Sequence, residues 1–308
     1  MTSLETRAAV TAGAPKASRR AARRFDPVKR RSWLLTVLLW LGVLYFILPL
    51  WWLLVSATKD NAALFSTFGL WFGGEFSLVE NLQTLFTVRG GIFARWLLNT
   101  IGYALAAAIG ATLLSAMAGY AFAKYDFPGR KALFSATLGA VMIPLTALAL
   151  PTYLLFSSAG LTDTPWAVII PSLVSPFGVY LMRVYSADAI PDDLIEAARV
   201  DGAGEFRIFW QVGLRLLGPA LVTVFLFSLV ATWNNYFLPL IMLNTSDLYP
   251  ITVGLAQIQA AASAGGGSQA LFSTVITGSF VSILPLIVAF LVLQRYWQSG
   301  LATGSVKG

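Results

Sequence analysis

Six apolar stretches, near residues 34–56, 98–122, 133–157, 165–182, 217–243 and 272–294, constrain this chain more than any other feature. A hydrocarbon layer ~30 Å thick needs about 20 residues of helix to cross it. Each stretch is near that length and nearly free of charge. In lipid the backbone must satisfy itself, which leaves helices or closed barrels, and runs this long point to helices. The expected fold is an all-α membrane protein, a bundle of six transmembrane helices. Composition agrees, with 11% charged residues against roughly 25% in a soluble domain. The first stretch is too long for a signal peptide and lacks a following small-residue cleavage site, so it reads as a retained anchor. Prolines fall inside three stretches: Pro144 and Pro151, Pro171 and Pro176, and Pro239. Kinks are expected there, because neighbouring helices re-satisfy the freed carbonyls.

The placement of Lys and Arg orients the bundle. With the N-terminus inside, only Lys59, Arg89 and Arg95 of the 21 cations fall outside. Both termini are therefore expected in the cytoplasm, with 295–308 as a short C-terminal tail. Residues 1–31 carry nine of the cations on a segment without periodicity. They read as a disordered basic cytoplasmic tail facing lipid, whose plainest role is to set orientation. A first outer loop, 57–94, is rich in aromatics and is expected in the interface or packed on the helices. A third outer loop, 244–271, holds Gly265, Gly266 and Gly267, a flexible reach with accessible backbone.

The zeros exclude chemistry. Without His or Cys there is no Ser–His or Cys–His pair and no zinc site of the usual kinds. No catalytic or metal-ligating set is visible. The apolar stretches contain almost no ionisable residue, whereas an ion-coupled carrier typically needs one within the bilayer. An ion-coupled secondary carrier of a small polar solute therefore stands as the alternative, and an intramembrane enzyme as a more distant one. No G-x-x-x-x-G-K-[ST] run occurs either, so the chain has no nucleotide-hydrolysing loop of its own. Such a protein is passive, or a partner drives it.

The loop 184–216 is the informative one. Pro191 suits the first turn of a helix, and Asp192 and Asp193 suit its dipole. Ile190, Leu194, Ala197 and Ala198 are expected on one face, with Asp193, Glu196 and Arg199 on the other. Gly202 breaks the run as a hinge where a side chain would crowd the turn. A second short helix follows, with Phe206, Phe209, Trp210 and Gly213 on its apolar side. By periodicity alone this helix–turn–helix either covers the helix ends or does something more.

The residues Glu196-Ala197-Ala198-Arg199-Val200-Asp201-Gly202-Ala203, followed by Phe209-Trp210 and Pro219-Ala220-Leu221, resemble the EAA motif of ABC importer permeases. Arg95-Trp96, Asn99-Thr100, Gly119-Tyr120-Ala121, Pro128-Gly129-Arg130, Met142-Ile143-Pro144 and Trp233-Asn234-Asn235 continue the resemblance in order. The end, Gly300 to Gly308, is similar to the maltose-type, MalG-like carbohydrate permease half. The resemblance covers about residues 34–308. It implies the type I importer (MetI-like) permease fold, with a permease domain over 95–294 behind the first helix. It implies that Glu196, Ala197, Ala198, Asp201, Gly202 and Ala203 couple the chain to a cytoplasmic ATPase. It also implies a second permease subunit, an ATPase dimer, an extracytoplasmic solute-binding protein and a bacterial inner-membrane location. No cofactor would be bound by this chain, ATP and Mg being used by the partner. Two departures stand out. Arg215 replaces the usual proline, which removes the expected source of a local bend, and Asn235 replaces a frequent acidic residue.

Ser228, Thr232 and Asn235 form a polar stripe in the fifth segment, with Asn234 beside it. These four either line a path for a hydroxyl-rich solute or hydrogen-bond neighbouring helices. Gly265, Gly266 and Gly267 are the candidates for contact with the binding protein. Ala107, Ala111, Ser115 and Gly119 on one face, and Thr274, Gly278 and Ser282 on another, suit close helix approach, within the chain or to a second subunit.

Overall fold

The computed structural model describes residues 33–144, 146–264 and 271–304, with side chains described as far as residue 296. The basic tail and the three consecutive glycines of the third outer loop lie outside the described residues. The chain falls into two units, residues 1–47 and 48–308. Of the first unit, residues 33–47 are the start of helix α1 (Trp33–Ala57), whose mean hydropathy reaches 2.2.

All regular secondary structure in the described part of the second unit is helical. The loop after α1 holds α2 (Asn61–Ser66) and α3 (Leu78–Thr87). Then come α4 (Ile92–Lys124), α5 (Arg130–Ala140), α6 (Ala149–Ser158), α7 (Trp166–Ser172) and α8 (Pro176–Ala189). The informative loop contains α9 (Asp192–Val200), α10 (Glu205–Ile208), a wide turn over Phe209–Gly213 and α11 (Leu214–Leu216). The chain ends with α12 (Gly218–Trp233), α13 (Phe237–Met242), α14 (Ile251–Ser263) and α15 (Leu271–Gly304).

Four helical runs are long and apolar enough to cross a membrane, Trp33–Ala57, Leu78–Lys124, Trp166–Ala189 and Leu271–Tyr296, and a bent pair ending in α12 would make a fifth. The all-α membrane fold is as expected, but three expected segments are not single helices, 165–182 among them, being split at 173–175 into α7 and α8. Segment 133–157 breaks over 141–148 around Pro144, leaving α5 and α6 with 11 and 10 residues. Segment 217–243 breaks at Asn234–Tyr236, and α13 then carries Pro239 in its first turn. Proline removes a donor and blocks the preceding turn, so a break falls at or just before it. At α8 the restart is capped, with Pro176 in the first turn and the Ser175 hydroxyl accepting from the Gly178 N–H at 3.2 Å.

The segment after α1, expected as the first outer loop, is folded rather than open. The Asn81 side-chain amide donates to the carbonyls of Ala57 and Lys59 at 2.9 and 2.8 Å. Lys59 is buried, its Nζ donating to the Phe68 carbonyl at 2.8 Å. Phe65, Phe68, Trp71 and Phe76 point outward instead.

In lipid, burying apolar surface gains little, so close packing and polar contacts hold helices together. Helix α4 shows both. Its small-residue face, Ala107, Ala111, Ser115 and Gly119, is buried within this chain. A Cβ on Gly119 would lie 2.7 Å from the Met182 backbone, and one on Gly178 would lie 2.6 Å from the Ser115 hydroxyl. These glycines let α4 and α8 touch backbone to backbone. Gly254 of α14 is tighter still, 2.2 Å from the Trp96 ring. Trp96 is fully buried and donates its Nε1 to the Ser246 carbonyl at 2.8 Å, so the ring has nowhere to move. Gly254→Val should therefore destabilise the folded chain by about 3 kcal/mol or more. Gly102→Ala, where a Cβ meets open space, should be neutral or slightly stabilising. Thermal unfolding of the two detergent-solubilised variants, followed by fluorescence-detected gel filtration, separates these outcomes.

Candidate functional site

Helix α9 forms where its sequence favours it. Pro191 precedes it in extended conformation, Asp192 and Asp193 occupy the first turn and Arg199 the last. Acid at the start and base at the end both complement the dipole. The helix ends in a paired closure. The Ala203 N–H reaches back to the Ala198 carbonyl and the Gly202 N–H to the Arg199 carbonyl, both at 3.0 Å. This six-to-one and five-to-two pattern needs a left-handed residue at its centre. Gly202 supplies it with φ +78°. Crowding, the expected reason for a glycine, is not the reason. A Cβ on Gly202 meets nothing within 4 Å, so the constraint is the backbone angle alone.

The buried face also differs from expectation. Ile195, not Leu194, points inward, 4% exposed against 46%. Ile190 is buried, Ala198 and Ala203 are half-buried, and Glu196, Ala197 and Asp201 are exposed. In the second part Ile208, Phe209 and Gly213 are buried, whereas Phe206 and Trp210 are exposed. The expected grouping of Phe206, Phe209, Trp210 and Gly213 splits because the turn over Phe209–Gly213 is wider than an α-turn and shifts the register. Gly213 meets Tyr120, whose ring lies 5.3 Å from that of Phe209. The chain then turns by 83° between the segment 205–216 and α12. The bend thus survives without a proline at Arg215, since Gly218 and Pro219 open the next helix.

Two residues at the C-terminal end of α4 strap this element down. Lys124 Nζ pairs with Asp192 Oδ1 at 2.8 Å and also donates to the Ile190 carbonyl. The Tyr125 hydroxyl donates to Glu205 Oε2 at 2.6 Å, and Glu205 Oε1 accepts from Arg199 Nε at 2.7 Å. The Arg199 contact and then the Tyr125 hydroxyl hold the Glu205 carboxyl below its ordinary range. Burial, then the Glu205 hydrogen bond, push the Tyr125 phenol up. Sequence reasoning missed both straps. A Lys closing a helix is a common dipole partner, but the partners of Lys124 lie 66 and 68 residues away and that of Tyr125 lies 80 away.

Glu196 lines a polar cavity of about 260 Å³ together with Lys124, Asp126, Arg130, Asp192 and Arg199. Around it the loop exposes Leu194, Val200, Phe206 and Trp210. Acid and apolar groups thus share the outward side of a short helix closed at its C-terminal end. Among the described residues no group of acids could hold a metal ion.

The four candidate path residues are not brought to one open surface. Ser228 and Thr232 are buried in the packing of α12. The Asn235 Oδ1 accepts from the Leu238 N–H at 3.3 Å, and its carbonyl accepts from the Thr252 hydroxyl at 2.8 Å. Asn235 is thus committed to starting α13. Asn234 alone is exposed, donating to the Val230 carbonyl at 2.9 Å.

The N-terminal end of α4 grips another segment. Trp96 holds the Ser246 carbonyl, Asn99 the carbonyls of Asp247 and Tyr249, and Tyr103 that of Leu248. Thr100 Oγ1 accepts from the Ile251 N–H at 2.7 Å. Four side chains within two turns thus fix the stretch of backbone that leads into α14. Asp163, in left-handed conformation, accepts from the backbone of Asn244 and Thr245 and from the Thr245 hydroxyl. These contacts, the hydroxyl foremost, hold its carboxyl below the ordinary range.

Comparison with known proteins matches residues 17–301 to the family described as binding-protein-dependent transport system inner membrane component. An arabinooligosaccharides transport system permease protein of Halalkalibacterium halodurans is 32% identical over 90% of this chain and 97% of its own length. A trehalose transport system permease protein of Mycobacterium tuberculosis is 32% identical over 91% and 99%. A lactose transport system permease protein of Rhizobium radiobacter is 29% identical over 85% and 91%. Among solved structures, a chain of a bacterial ABC transporter involved in import of the acidic polysaccharide alginate aligns with TM-score 0.75, at 23% identity, over 88% of this chain and 99% of that one.

Gly202→Ala should destabilise the α9 closure by about 1 kcal/mol, because a left-handed angle costs a side chain that much. Faster amide hydrogen exchange at Ala203 would register it. The Glu205 pairs carry a sign. A depressed carboxyl stabilises fully above its unfolded value near 4.5 and loses that contribution as pH falls through the folded value. The protection of the Ala203 amide relative to its intrinsic exchange at each pH should therefore fall on acidification below that range in the native chain and stay unchanged in Glu205→Gln.

Proposed function

Since the chain belongs to the family of binding-protein-dependent transport system inner membrane components, we propose that it is one transmembrane half of an ATP-driven importer that moves a sugar or oligosaccharide across the cytoplasmic membrane. It is a multi-pass transport subunit and not an enzyme. The remaining parts of the machine are a second permease, a cytoplasmic ATPase dimer that uses ATP and Mg, and an extracytoplasmic binding protein. Both termini lie in the cytoplasm, so α9 and α10 face the ATPase. The binding protein meets the opposite face, with Gly265, Gly266 and Gly267 as its contact.

One observation carries the coupling role. The element containing Glu196, Ala197, Ala198, Asp201, Gly202 and Ala203 is a closed helical knob, outward on one side and strapped to α4 on the other. A rigid knob transmits displacement, whereas a frayed loop absorbs it. Glu196 is the polar contact to the ATPase, and Leu194, Val200, Phe206 and Trp210 its apolar frame. Burial of Ser228 and Thr232 favours helix packing for those two. Asn234 is left as the exposed amide for a hydroxyl-rich solute. The sugar transport systems named for relatives at 29–32% identity support the substrate class.

Glu196→Lys is expected to leave membrane insertion and assembly intact while lowering ATP-dependent uptake by about tenfold or more, the scale of one lost charged contact. Vanadate-sensitive sugar uptake into proteoliposomes carrying the full assembly tests both claims. Uptake that follows an ion gradient and ignores vanadate would favour the carrier instead. Co-purification of this chain with an ATPase and a second permease tests the partners.

A further inference from the structure

Helix α4 runs 33 residues without interruption, about 50 Å at 1.5 Å per residue. It carries no proline, whereas α1 contains Pro49 and α15 contains Pro285. Its first turns hold the backbone of 246–251 through Trp96, Asn99, Thr100 and Tyr103. Its C-terminal end, Lys124 and the following Tyr125, holds both ends of α9. Lys124 takes the start of α9 through Asp192 and Ile190, and Tyr125 takes its end through Glu205 and Arg199. No other helix among the described residues is tied by side chains to both of these elements in this way. The broken pairs α5–α6 and α12–α13 would bend before they transmitted a push.

From this geometry we infer that Lys124 and Tyr125 are positioning residues that make α9 move together with α4, so that displacement of α9 reaches the segment 246–251 and α14 through one stiff helix. The inference rests on the reading of α9 as the ATPase contact and adds the route by which its motion crosses the membrane. Tyr125 is the better probe. Loss of its hydroxyl leaves the ring against Tyr120, 5.7 Å away, and so spares the packing. Lys124 is nearly buried on its side chain, and its removal would leave the Ile190 carbonyl unpaired.

The test uses the full assembly in proteoliposomes, with partner subunits made cysteine-free. This chain has no cysteine of its own. In Tyr125→Phe, sugar transported per ATP hydrolysed should fall on the order of tenfold while hydrolysis continues, the effect of one charge-assisted hydrogen bond. A second variant, Tyr125→Cys with Glu205→Cys, should be equally uncoupled as made and should regain coupling when a short bis-maleimide joins the two thiols. A structural defect would not be mended by that tether. Wild-type stoichiometry in Tyr125→Phe would overturn the inference. So would a tethered pair that assembles and hydrolyses ATP yet stays uncoupled. ATP-independent uptake by the wild-type assembly would instead overturn the importer reading beneath it.

Discussion

A peptide group left without a partner in hydrocarbon costs several kcal/mol, and the architecture follows from where the chain accepts or avoids that cost. Helix α4 avoids it completely, with an unbroken ladder from Ile92 to Lys124. The other long apolar segments are interrupted or carry proline, and their freed groups need repair. Ser175 repairs the start of α8 and Asn235 the start of α13. The intact helix is thus the natural reference against which the interrupted ones are arranged.

That role demands close approach. Solvent does not push helices together in lipid, so they must fit. The alternation of Ala, Ser and Gly along α4 lets α8 reach its backbone at Gly119 and Gly178. The same economy of volume brings α14 onto Trp96 at Gly254. Small residues that could have served a second subunit are already used inside this one.

Much of this was legible in the amino-acid order. Length and charge identified the membrane class, since the thickness of hydrocarbon is a fixed ruler. The position of α9 followed from Pro191, the paired aspartates and Gly202. The face it buries did not, because Leu194 and Ile195 are adjacent and equally apolar. Only the direction of the underlying cluster of Tyr120, Met182 and Ile208 chooses between them. Breaks within helices were visible as prolines, but their extent was not. The straps from Lys124 and Tyr125 were invisible because they join residues brought together only by the packed bundle. Lys59 shows the reverse error. Charge counting sets it in water on the outer face, yet its stem is buried and its ammonium is held by a carbonyl of its own loop. The loop it organises turns its aromatics outward around an internal cation.

A stiff element held at both ends has a thermodynamic corollary. If engagement at α9 alters how readily the segment 246–251 is captured on the far side, linkage requires that capture to alter engagement at α9 by the same factor. The two faces of the bundle then report on each other symmetrically, and neither is the input by construction. Direction would come only from which side is saturated first and from the free energy released by hydrolysis. The clamps on α4 fix the size of the dialogue but not its sense.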